Sequence, residues 1–284
     1  MPVFSIENEY NNNLQLTQQE NRWQVLSVTG LNPPPAAIAT SIIPTFDGER
    51  FNSSRLQARN IVITLAINGN AEENRMALNK VVLPKRYIKV KYKNNTKDIY
   101  IEGHVESFEY DVFENMKMRA QASIICTDPY WKDLEESETI IKSVINLFEF
   151  PFSIPKEGIA ISEILNTNEC EIINQGSIET GCSMEIEFNN NVLNPYIENL
   201  TTGEKMIINR ELTQGDVLMI STQRGKKSIK LYQNGTITNI INDLDESSQW
   251  ITIKAGANRF IYGAAAGADN MQIKIKYRNL YGGV

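Results

Sequence analysis

The sequence predicts a mainly β protein in two domains: an N-terminal β domain with one packed helix, and a C-terminal antiparallel β-sandwich. Three observations carry this reading. Short runs rich in Val, Ile, Thr and aromatic residues alternate apolar with polar along most of the chain. Helical spacing is confined to one clear stretch in the first domain and one short run just past its end. Beyond residue 168, turn pairs such as Thr202-Gly203, Gly215-Asp216 and Asn234-Gly235 return at short intervals between strand-like runs. At 284 residues the chain exceeds the usual single-domain size, and each half is long enough to bury its own core.

In chain order, the runs at 14–17 and 23–29 read as a hairpin. Residues 30–59 contain Pro33, Pro34, Pro35, Pro44 and the turn Asp47-Gly48. Those residues interrupt regular structure, and the stretch reads as a long loop of the kind that finds its contacts outside its own domain. A β-branched strand is expected over 60–67. In 71–83 the apolar Met76, Leu78, Val81 and Val82 fall on one stripe, Glu72 and Glu73 occupy the first turn and Pro84 ends the pattern, which predicts a helix.

Two runs, 87–92 and 99–110, flank the turn KNNTKD and read as a hairpin, with a third strand at 117–126. Asp128-Pro129 stops that strand, because proline cannot donate to a ladder and disfavours helix in the residue before it. Tyr130 and Trp131 then read as a half-buried lid on the sheet or, alternatively, as an aromatic contact between subunits. The first domain is thus 1–133. The stretch 134–167, with the acidic run EESE, a short helix over 139–148, and Pro151 and Pro155, reads as a connection. The second domain is 168–284.

Composition narrows the function. Apolar residues make up 42% and charged residues 22%, an ordinary globular balance. Acidic residues number 34 against 28 basic ones, and the formal charge of −6 disfavours a tight electrostatic grip on nucleic acid. There is no basic-then-apolar leader and no apolar run near the ~18 residues of a membrane span, so neither an export signal nor a span is expected.

Catalytic chemistry finds no home. The only histidine, His104, shares a strand face with Glu102 and Glu106, a trio with metal-binding side chains; yet a strand spaces such side chains about 7 Å apart, as on any solvated sheet face. A serine or cysteine nucleophile would have only His104 as an imidazole base, and no G-x-S-x-G elbow occurs. Cys126, Cys170 and Cys182 form an odd set without a C-x-x-C pair and read as buried thiols.

STQRGKKS lacks the offsets of a phosphate loop, and GAAAGADN precedes a strand rather than a helix. Asp243, Asp245 and Ser247 in NDLDESSQ lack the glycine and terminal glutamate of a calcium loop. No catalytic, cofactor-binding or metal residue is assigned, and no enzyme is expected. The aromatics Tyr196, Tyr232, Trp250 and Tyr262 of the sandwich are the candidates for stacking on a sugar, with core packing as the other explanation.

The order and spacing of several blocks point to a family. GLNPPPAAIATS, GERFNSSRLQARNIVITLAING, ENRMALNKVVLPK, IYIEGHVESFEYDVF and SIICTDPYW lie in the first domain. FEFPFSIP, IINQGSIETG, NPYIENLTTGEKMIIN, LTQGDVLMISTQRGKKSIKL, WITIKAGANRF and YRNLYGGV follow. Together they resemble the distal tail proteins, Dit, of long-tailed (siphovirus-type) phages that infect Gram-positive bacteria, over nearly the whole chain.

The resemblance implies a ring-forming, tail-tube-like N-terminal domain and a galectin-like C-terminal sandwich. It implies a homo-hexameric hub ring that joins the tail tube protein to the tail-tip or baseplate apparatus and its receptor-binding proteins, in the virion tail and assembled in the host cytoplasm. It carries over no carbohydrate-binding residue; a carbohydrate-binding module serving adsorption to the host cell wall is the alternative. The 30–59 loop and the 71–83 helix are expected at the subunit contact. If the ring surrounds a channel crossed by DNA, its wall is expected to be acidic or neutral, with Glu102, Glu106 and Glu109, or Glu72 and Glu73, as candidate lining.

Overall fold

The computed structural model describes residues 3–16, 22–45, 47–112, 118–142 and 168–284. The chain forms two units, one from Met1–Leu134 with Leu280–Val284 and the other from Glu135–Asn279.

The first unit contains, in order, β1 (Val3–Asn8), β2 (Asn13–Leu16), β3 (Trp23–Thr29), β4 (Ala36–Ile42), β5 (Glu49–Leu56) and β6 (Arg59–Ile67). Helix α1 (Ala71–Val81) follows, then β7 (Tyr87–Lys93), β8 (Asp98–Val112), β9 (Met118–Cys126) and β10 (Trp131–Asp133). The main sheet runs β2-β1-β7-β8-β9-β6-β3, with every pairing antiparallel. Alternate side chains of β6 are buried, and Ile61, Ile63 and Leu65 lie opposite Ile124, Ala122 and Ala120 of β9. With Ile88, Val90, Ile99 and Ile101 they make the core on which Leu78, Val81 and Val82 pack.

Helix α1 forms as the pattern predicts at its ends. The Asn70 side chain accepts from the Glu73 amide, Glu72 and Glu73 fill the first turn, and the Val82 amide closes on the Leu78 carbonyl at 2.8 Å. Met76, expected on the packed stripe, is exposed. Residues two positions apart on a helix stand about 200° apart around its axis, so Met76 faces away when Leu78 faces in. Asn74 takes the inward place, donating to the Asn68 carbonyl and accepting from Arg22.

Three expectations for this unit need correction. The runs at 14–17 and 23–29 do not pair: β2 pairs with β1, an N-terminal strand without a clear signal in the sequence, while β3 pairs with β6 at the opposite end of the sheet order. The 30–59 stretch is not an irregular loop, for β4 and β5 make a two-stranded antiparallel hairpin inside it. The prolines lie just before β4 or at the tip, where no ladder donor is needed. Trp131 is fully buried within β10, 6.3 Å from the Tyr92 ring, whereas Tyr130 is half-buried.

The second unit contains β11 (Ser137–Lys142), β12 (Glu169–Asn174), β13 (Cys182–Phe188), β14 (Val192–Asn199), β15 (Glu204–Ile207) and β16 (Glu211–Leu212). It continues with β17 (Val217–Ser221), β18 (Ser228–Gln233), β19 (Thr236–Asn239), β20 (Gly256–Ala266) and β21 (Met271–Tyr277). One antiparallel sheet runs β11-β21-β13-β17-β18-β19; the other runs β12-β20-β14-β15, with β16 on β14. Met184, Ile186, Leu218, Ile220 and Ile273 pack with Ile172, Ile197, Met206, Phe260 and Tyr262 in a single core.

The stretch 250–255 makes only the isolated bridge Thr180↔Ile253. Buried asparagines hold its carbonyls instead: Asn199 donates to Thr252 at 2.7 Å, Asn174 to Ile253 at 3.1 Å and Asn258 to Lys254 at 2.7 Å.

The stretch 134–167, read as a connection, begins with β11, which pairs along β21 and buries Ile141. Residues 139–142 are therefore strand rather than helix; two β-branched residues in succession, Ile140 and Ile141, suit a ladder better. The rest of that expected helix, and 143–167 as a whole, lie outside the described residues. At the other end, β22 (Leu280–Tyr281) belongs to the first unit, where it pairs with β10.

Candidate functional site

The sequence-level chemical candidates disperse in the structure. A β-bulge between Val105 and Ser107 breaks the strand carrying Glu102, His104 and Glu106, and each finds its own partner. Glu102 accepts from the Tyr87 hydroxyl at 2.6 Å and from Lys132 at 3.2 Å. Burial favours its neutral form, but those two donors hold its carboxyl below the usual range. Burial and then the Glu102 contact push the Tyr87 phenol up. Glu106 accepts from Ser123, and His104 meets the Tyr87 ring edge-on at 5.9 Å. Among the described residues, no three His, Cys, Asp or Glu side chains gather as a metal site.

Burial pushes the Cys126 thiol up to about 12 and those of Cys170 and Cys182 to about 11, which keeps all three protonated and unreactive at neutral pH. In the acidic loop, Asp243 pairs with Arg210 at 2.6 Å, and Asp245 accepts from Ser247 and Asn209.

The sandwich aromatics share no platform. Tyr262 is buried in the core, Tyr232 is exposed on the sheet of β18, and Trp250 is half-buried beneath Lys227. Tyr196 lies on the other sheet across Gly263, where an added Cβ would stand 2.6 Å from its ring, with Lys205 3.8 Å above its centroid.

What stands out instead is the β4–β5 hairpin. Its register pairs Ala36 with Leu56, Ile38 with Ser54, Thr40 with Phe51 and Ile42 with Glu49. Directly opposed residues of an antiparallel pair share a face, so Ala36, Ile38, Ile42, Phe51 and Leu56 stand on one side with Thr40, Ser54 and Glu49, and this is the more apolar side. The other side carries Ala37, Ala39, Ser41, Ser53, Arg50 and Arg55.

A bulge between Ala39 and Thr40 pairings leaves Asn52 over, and that extra residue keeps Phe51 on the apolar side; strict alternation would turn it to the arginine side. Among the described residues nothing covers the apolar side. Ile38 is 64%, Ile42 76% and Phe51 60% exposed, and the two strands pair only with each other. The signal for this site in the sequence is alternation, ERFNSSRL opposite AAIATSI, masked by the flanking prolines.

The arm is rooted on Arg59, which is 1% exposed. Its guanidinium donates to the carbonyls of Gly30, Leu31 and Asn32 before β4, of Pro129 in the Asp-Pro turn, and of Gly282. Five acceptors from three distant segments satisfy the planar fork without any carboxylate. Gly30 has φ +80° and lies so close to Asn60 that a Cβ would meet its carbonyl oxygen at 1.9 Å, which leaves glycine as the residue that fits.

The acidic candidates divide by their partners. Glu72 is paired with Arg75 and Glu73 with Arg22, and Glu102 is neutralised by Lys132, whereas Glu106, Glu109 and Asp111 are exposed along β8.

Residues 175–281 match the family described as siphovirus-type tail component, C-terminal domain. No curated protein matches the chain. Among solved structures, 98% of the chain aligns with 99% of the Dit protein of phage SPP1, with a TM-score of 0.68 at 12% identity. That protein is described as a paradigm of the hub adsorption apparatus in phages infecting Gram-positive bacteria. Chains of the phage p2 baseplate, solved in its activated conformation with calcium and with strontium, align over 97% of this chain and 98% of theirs, at a TM-score of 0.49 and 12% identity. Residues 175–281 are thus similar to the C-terminal domain of siphovirus-type tail components, and over its length the chain has the fold of the SPP1 Dit protein.

Proposed function

We propose that this chain is a non-catalytic structural hub of a phage tail. Its copies close a hexameric ring through their first units, and the ring connects the tail tube to the tail-tip or baseplate apparatus and its receptor-binding proteins. Such a part is made in the host cytoplasm and works in the virion tail.

The observation that carries the reading is the two-faced β4–β5 hairpin, an apolar-sided arm with no partner among the described residues of its own chain. An isolated two-stranded ribbon is marginal in water, so its apolar side stabilises the protein only when another surface covers it. An arm laid on the next copy is a head-to-tail contact, and such contacts close into a ring when the rotation per copy divides a full turn. Met76, on the outer side of α1, offers a second apolar contact.

The test is the solution mass of the full chain. A concentration-dependent multimer of about six copies is expected, reduced to monomer by Ile38→Ser combined with Phe51→Ser while the thermal transition of the second unit is unchanged. A monomer that persists at high concentration overturns the ring. A clearing band in cell-wall zymography overturns the non-catalytic reading, and retention on wall polysaccharide favours the carbohydrate-binding alternative.

A further inference from the structure

Both legs of the arm meet at one buried point. The leg before β4, Gly30 to Asn32, is held by its carbonyls, and the leg after β5 runs into Arg59 itself. Pro33, Pro34 and Pro35 join the first leg to β4, a stiff extended spacer that passes the orientation of the root to the arm.

The segment Leu280–Val284 closes over this point. Leu280 and Tyr281 pair with Lys132 and Trp131, and Lys97 lies 4.4 Å from the Tyr281 ring centre. The Gly282 carbonyl accepts from Arg59 at 2.5 Å, and the Val284 amide donates to Leu31 at 3.2 Å. Gly283 backs directly onto the spacer: a Cβ there would stand 2.7 Å from Pro33 Cδ and 3.2 Å from the Leu31 oxygen. These residues follow the whole second unit in sequence and contact the root of an arm that begins at Ala36.

We propose that Leu280–Val284 is a latch on the arm root. In a chain that lacks it, or has not yet been built past Asn279, the arm is not held in the orientation that docks on another copy. Assembly is thereby coupled to completion of the second unit. The coupling to assembly rests on the ring reading; the effect on the arm itself does not.

The experiment uses the full chain with Cys170→Ser and spin labels at Gly48→Cys, on the arm tip, and Gln121→Cys, on exposed sheet surface. The distance distribution is recorded by pulsed electron resonance at dilution, with the mass measured in parallel. Two latch variants are compared with the parent: a chain ending at Asn279, and Gly283→Val, which keeps β22 but strikes Pro33. A distribution about twofold broader in both variants, with the multimer lost, is expected. An unchanged distribution in Gly283→Val overturns the latch even if the shorter chain fails to fold. A broadened distribution with the multimer retained overturns the coupling to assembly. Broadening in both variants beside a parent that never multimerises leaves the latch standing and sinks the ring instead.

Discussion

The Arg59 guanidinium donates at 2.5 Å to the carbonyl of Gly282, across 223 positions of sequence. The cation is buried against Trp131, 5.9 Å from its ring centre, and burial lowers its pKa. It stays charged because arginine starts so far above neutrality. Lysine would bring three donors where five carbonyls wait.

Replacing Arg59 is therefore expected to be costly. Arg59→Met leaves buried carbonyls without their donor and should destabilise the first unit by about 3 kcal/mol, with Arg59→Lys recovering only part. Urea unfolding followed by Trp131 fluorescence, in a background with Trp23 and Trp250 replaced by Phe, reads the loss. A change below ~1 kcal/mol would contradict the root's role.

Register offers a second prediction. Deleting Asn52 and Ser53 together removes the bulge and one paired residue, which brings Phe51 opposite Ala39 on the arginine side of the hairpin. The multimer should be lost while thermal unfolding of both units is unchanged, because the side chains concerned are exposed. Retention of the multimer would mean that the apolar side is not the docking side.

Stability should fall in alkali. Burial pushes the Tyr110 phenol and the Cys126 thiol up to about 12, and burial followed by the Asp133 carboxylate does the same for Tyr281. Each value is raised on folding, so its contribution is complete below the unfolded value, about 10 for Tyr and about 8.5 for Cys, and is lost as pH climbs to about 12. Melting of the first unit at stepped pH should show the loss, and Tyr281→Phe should make it shallower.

Ile141 tests where the second unit begins. It is buried among the core residues of the sandwich, so Ile141→Ala in the full chain should cost about 3 kcal/mol in the second transition and leave the first unmoved. A mutation in a mere connecting segment would move neither.

If the ring encloses a channel, the exposed acids of β8 are the groups to reverse. Glu106→Lys with Glu109→Lys and Asp111→Lys should make the multimer retain duplex DNA at low salt, and the retention should vanish as salt rises. Glu102→Gln should not, since Lys132 already neutralises that carboxylate. Tight DNA binding by the parent multimer would rule out an acidic channel wall.

The class of the protein and the places of most elements are legible in the sequence alone. Alternation in β6 and β9, the capped stripe of α1, and the turn pairs of the sandwich are local signals, and local sterics and burial read them one segment at a time. The end of β9 was equally legible, because proline forbids continuation whatever surrounds it. What depends on distant partners emerges only when the chain folds. Whether β2 pairs with β3 or with β1 is a competition between ladders; a hairpin flanked by prolines looks like a loop until its register is seen; and β11 looks like a connection until β21 lies beside it. Arg59 is the extreme case. Nothing near it in sequence marks an arginine as buried, since the carbonyls that satisfy it come from three segments that only folding brings together.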